Sequence, residues 1–128
     1  MKNKSKLNKI KSGGSRIQRN WFYMSEKEIS PDDIKSVWEQ DYDVEIWREQ
    51  GILEITLGEG GIDVETCPTD RWDDYSKEYL KSNSVVMVYA VTVTEKGYEE
   101  CVNAMRKLCS VKGGWFAADT DDFTPRIE

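Results

Sequence analysis

The run Val85-Val86-Met87-Val88-Tyr89-Ala90-Val91 constrains this chain more than any other stretch. It is far shorter than the ~20 apolar residues of a membrane span. Rich in β-branched side chains, it predicts a strand buried on both faces, hence a central one. Thr92, Val93 and Thr94 extend it. Beyond it the period changes from two to between three and four. Tyr98, Cys101, Val102, Met105, Leu108 and Cys109 share one face of a helix, and Glu99, Glu100, Asn103, Arg106, Lys107 and Ser110 the other. Thr94 suits the N-cap of this helix, with Glu95 beside its positive end. Lys112 falls in the last turn, and Gly113 suits the left-handed residue that ends it. Trp115-Phe116-Ala117-Ala118 then returns as a strand. Ser84 to Asp119 is therefore a strand, a helix and a strand, which predicts two parallel strands joined by a right-handed crossover.

The preceding segments supply what such a unit packs against. Ser30-Pro31-Asp32-Asp33 is a helix start: Ser30 caps, Pro31 takes the first helical position, and two acids meet the positive end. The helix is expected to run to about Gln40, with Ile34, Val37 and Trp38 inward, and is short enough to need a sheet beneath it. Tyr42 to Arg48 alternates, with Tyr42, Val44 and Ile46 on one face. After a turn at Gln50-Gly51, Ile52 to Leu57 alternates with Leu53, Ile55 and Leu57 inward. Gly58 to Gly61 turns again, and Ile62, Val64 and Thr66 line a third strand. This is an antiparallel meander with one buried and one wet face. Cys67 to Asn83 is a long polar connection of the kind that is often functional. It holds a short helix over Asp74 to Lys81, with Tyr75, Tyr79 and Leu80 partly buried, and Asp119 to Glu128 reads as an extended, partly exposed tail. The expected fold is α+β and two-layered: a mainly antiparallel five-stranded sheet, two main helices (31–40 and 95–112) on one face, and a C-terminal βαβ unit.

Charge divides the chain. All seven basic residues of 1–20 (Lys2, Lys4, Lys6, Lys9, Lys11, Arg16, Arg19) stand there without an acid. The remaining residues therefore carry a net charge of −13, against −6 for the whole. Residues 1–23 are expected to be a disordered basic tail, and 24–128 a single domain. The tail is either an arm that touches nucleic acid or an acidic surface, or incidental sequence upstream of a domain starting near Met24; the second is preferred. Trp21-Phe22-Tyr23, at the junction, either docks on the domain or forms a sticky contact. The acidic body is expected to avoid nucleic acid and anionic membranes and to attract basic partners. No apolar stretch follows the charged N-terminus, so no signal peptide is expected.

Most catalytic chemistry is disfavoured by residue type. The chain has no histidine, which removes the usual general base, Ser-His and Cys-His pairs, and the commonest zinc ligand. Cys101 and Cys109 lie eight residues apart on a helix, about 12 Å along its axis and too far for a disulfide. With Cys67 they read as reduced cytosolic thiols, the two helical ones inert on an apolar face. Gly58 to Gly61 leads into a strand and Gly113-Gly114 follows a helix, so neither is a phosphate cradle. A magnesium site remains chemically sensible if Asp63 and Glu65 approach Asp119-Thr120-Asp121-Asp122. The acids make better sense together: Asp63, Glu65, Asp70, Asp73, Asp74, Asp119, Asp121 and Asp122, interleaved with Trp72 and Tyr75, form a partner-binding surface in which charge speeds encounter and aromatics supply buried contact.

The closing phrase, Gly113-Gly114-Trp115-Phe116-Ala117-Ala118-Asp119-Thr120-Asp121-Asp122-Phe123-Thr124-Pro125, resembles the ending of small bacterial domains among the immunity proteins of polymorphic-toxin and contact-dependent inhibition systems. The order of capped helix, meander, polar loop, strand, helix and strand is similar too, over residues 28–127. The resemblance implies a cytoplasmic protein that binds a cognate toxin tightly and blocks its active site; no catalysis, cofactor or metal is expected. Nuclease toxins are often basic, which suits the acidic body; the basic tail departs from the pattern, and no contact residue carries over. The expected function is thus a toxin inhibitor. The alternatives are a small carboxylate-metal enzyme and a regulatory or adaptor domain.

Overall fold

The computed structural model describes residues 17–128; the expected disorder and role of the tail before residue 17 lie outside the described residues. In chain order the elements are β1 (Asn20–Ser25), α1 (Pro31–Trp38), β2 (Asp43–Trp47), β3 (Ile52–Leu57), β4 (Gly60–Thr66), α2 (Asp74–Ser82), β5 (Met87–Val93), α3 (Tyr98–Lys112), β6 (Trp115–Ala118) and β7 (Arg126–Ile127). The strands form one sheet in the order β2-β3-β4-β5-β1-β6-β7, with every neighbouring pair antiparallel.

The α+β class stands, but the five-stranded sheet with two main helices is corrected, among the described residues, to seven strands and three helices. The largest difference is β1. The expected domain start at Met24 falls in the middle of this strand, and Trp21, Phe22 and Tyr23 are its buried heart at 2%, 3% and 1% exposure. The physical reason is hydrogen bonding. A strand buried on both faces needs a partner on each edge, and β5, which takes up the Val85–Val91 run from Met87 onward, finds β4 on one side and β1 on the other. The C-terminal βαβ unit is corrected accordingly. β5 and β6 point the same way, because each is antiparallel to β1, but β1 lies between them. The tail expected after Asp119 supplies β7 and the turn before it.

α1 and α3 lie on one face of the sheet, over a core that includes Ile34, Val37, Trp38, Met105, Leu108, Leu53, Ile62, Val91 and Phe116. Ser30 Oγ accepts from the Asp33 N–H at 3.1 Å and Asp33 Oδ2 accepts from the Ser30 N–H at 2.9 Å, a reciprocal cap. The indole of Trp38 donates to the Ala104 carbonyl at 2.9 Å, tying α1 to α3. α3 starts at Tyr98, not at Glu95. Thr94 Oγ1 accepts from the Gly61 N–H and donates to the Lys96 carbonyl, so it closes a turn instead of capping the helix. Gly97 is the N-cap at φ +71°, pressed so close to Gly60 that a Cβ there would lie 2.7 Å from the Gly60 nitrogen.

The two-layer expectation holds only over the meander. On the opposite face of β5, β1 and β6, Trp72 and Phe123 cover Phe22, Met24, Val88, Trp115 and Ala117, helped by Tyr79 and Leu80 of α2. The central strands are therefore sandwiched. The same face of β2, β3 and β4 has no such cover among the described residues.

Candidate functional site: the open half-sheet

Strict alternation along β2, β3 and β4 sends Val44, Ile46, Leu53, Ile55, Leu57, Ile62 and Val64 toward the helices. It therefore sends Asp43, Glu45 and Trp47 from β2, Glu54 and Thr56 from β3, and Asp63 and Glu65 from β4 to the other side. The register then decides what meets. Glu45 stands opposite Glu54, Glu54 opposite Asp63, and Asp63 opposite Thr92. Three carboxylates thus form one row across three strands, where directly paired side chains are about 5 Å apart and like charges destabilise. Asp43 and Glu65 flank the row.

Little in the fold offsets this repulsion. Among the described residues, none of these five acids is in an ion pair, whereas Asp32, Glu39, Asp41, Glu59 and Glu128 each hold one. The indole of Trp47, 46% exposed, donates to Glu54 Oε1 at 3.1 Å. Burial, then the charges of Glu54 and Glu65, push the Asp63 carboxyl above its usual value. Asp43, Glu45, Glu54 and Thr56 border a shallow recess of about 220 Å³.

The residues expected from sequence do not all meet on one face. Asp63 and Glu65 are on the open face. Asp119 is half-buried after β6; the Cys67 thiol is pushed up to about 11, chiefly by burial and then by the charges of Asp119 and Glu65. Asp73 and Asp122 have structural work: Asp73 Oδ1 caps α2 by accepting from the Ser76 N–H at 2.8 Å. Asp122 Oδ1 accepts from the N–H and hydroxyl of Thr124 at 3.2 and 2.7 Å, which holds its carboxyl below the usual range. Asp70, Asp74 and Asp121 are exposed near these turns. Trp72 is corrected: it is 9% exposed, with its ring 5.0 Å from that of Phe22 and 5.9 Å from that of Phe123, so it fills a core instead of offering an anchor. Tyr75, expected to be partly buried, is 57% exposed.

Asp43, Glu45, Trp47 and Glu54 were not among the expected contacts. Their signal is the outward half of the alternation, read with the two turn lengths that set the register. The metal alternative gains no support: among the described residues no group of three His, Cys, Asp or Glu side chains is placed to hold a metal ion. All three cysteines are unpaired, and burial raises the Cys101 thiol and pushes that of Cys109 up to about 12. No described helix is long and apolar enough to cross a membrane.

The acidic row carries a pH signature. A carboxyl held above its ordinary value in the folded protein takes stability away as pH rises through that window. Asp63→Asn is therefore expected to raise the urea midpoint at about pH 7, and the gain should shrink as pH falls below the usual carboxylate value of about 4. Equal gains at both ends of a denaturation series would contradict the repulsion.

No family model, curated protein or solved structure matches the chain.

Proposed function

We propose that this protein is a non-catalytic, stoichiometric inhibitor that grips a basic protein partner on the open acidic half-sheet, as an immunity protein grips a toxin in the cytoplasm. The observation that supports this most is the in-register row Glu45–Glu54–Asp63, with no ion-pair partner among the described residues. Folding alone gains nothing from three carboxylates side by side, and any neutral polar trio would solvate the face at lower cost. A basic partner would relieve the repulsion, and the long-range field of a body carrying −13 in residues 21–128 would speed its arrival. Trp47 at the rim supplies an aromatic contact of the kind enriched at binding hot spots.

The test is coexpression with the product of the adjacent open reading frame, followed by purification through a tag on either chain. The reading predicts an equimolar complex whose association slows steeply as salt is raised. A neighbour that does not copurify, or a complex indifferent to ionic strength, contradicts it.

A further inference from the structure

The outer edge of β2 bears on how such a partner docks. Among the described residues, the backbone of Asp43–Ile46 has no hydrogen-bond partner outside β3, and β2 ends the sheet. Edges of this kind are usually shortened, interrupted by proline, bulged, covered or charged, most often by lysine; β2 has charge, in the acids Asp43 and Glu45. The opposite edge follows that rule, since β7 is two residues long. β2 has five residues without glycine or proline. Its two faces are unfinished in different ways. Toward the helices, Val44 and Ile46 are only partly buried, so the apolar layer stops short. Toward the open side, the row of carboxylates reaches Glu45, which is in no ion pair among the described residues.

We infer that β2 accepts a basic extended segment of the partner as an eighth strand. This rests on the proposed acidic contact and specifies its form. Strand addition satisfies the edge backbone, and alternate side chains give it selectivity. The fitting segment alternates Lys or Arg with apolar residues: the cations continue the Glu45–Glu54–Asp63 row, and the apolar residues extend the Val44–Ile46 layer. A second copy of this chain does not fit, because β2 against β2 brings Asp43 and Glu45 beside their own kind.

The test uses the full chain and two capped synthetic peptides of identical composition, one alternating Lys and Val, the other with all Lys before all Val. At physiological salt the alternating peptide is expected to bind at least about tenfold more tightly. It should slow hydrogen exchange at the β2 amides that do not bond β3. Glu45→Lys, an exposed change checked for folding by circular dichroism, should weaken it by about tenfold or more. Equal affinity for the two peptides, protection away from β2, or no binding of the alternating peptide at millimolar concentration overturns strand addition. If both peptides bind equally and Glu45→Lys weakens both, the acidic-face reading survives the loss of this one. If Glu45→Lys changes neither, the acidic face itself is lost as well.

Discussion

Truncating Trp72 to alanine is expected to lower the free energy of unfolding by about 3 kcal/mol, the scale of a large aromatic removed from a core. Trp72 comes from a polar loop, yet its indole lies edge-on to Phe22 and stacks near-parallel on Phe123. Phe22 belongs to the central strand β1, and Phe123, at φ +60°, belongs to the turn held by Asp122 and Thr120. Removing the indole opens a void on the sheet face away from α1 and α3, and strips two aromatic contacts worth about 1 kcal/mol each. Urea denaturation measures the loss. Affinity for the proposed partner, per folded molecule, should be unchanged, because the ring is inside the domain. A stability loss below about 1 kcal/mol, accompanied by weaker binding, would return Trp72 to the surface role expected from its acidic neighbours.

The second large effect has two readouts that move in opposite directions. Glu45→Gln, Glu54→Gln and Asp63→Asn together keep the shape of the open face and remove three adjacent like charges. The folded protein should become more stable, since cross-strand repulsion disappears. Association with the proposed basic partner should slow by on the order of tenfold to a hundredfold at low ionic strength. Loss of affinity in a better-folded protein cannot be ascribed to damage. A variant that is neither more stable nor slower to associate would mean that the row is ordinary solvated surface.

These expectations depend on features that differ in how plainly the residues announce them. α1 was legible because Ser30, Pro31 and Asp33 make a local cap and Ile34, Val37 and Trp38 share a helical stripe. The meander was legible because alternation is a local signal. β1 was hidden: three consecutive aromatics show no period and follow a basic segment, and their need for partners appears only when β5 and β6 close on them from distant parts of the chain. Trp72 was misplaced for a related reason, since Asp70, Arg71, Asp73 and Asp74 around it suggest water, and only tertiary packing turns the one apolar ring inward. The outward placement of Asp63 and Glu65 was legible because acids at alternate strand positions stand out. That Glu45 and Glu54 join Asp63 in one row was not legible, because it comes from register, which is a relation between strands.

The most direct measurement of the central claim is carboxyl footprinting by carbodiimide labelling and mass spectrometry, on the free protein and on its complex. Burial of the half-sheet predicts that labelling of Glu45, Glu54 and Asp63 falls sharply in the complex, while Asp70, Asp74 and Asp121 label as before. Unchanged labelling across the row, with protection confined to the loops around α2 and Asp121, would contradict it.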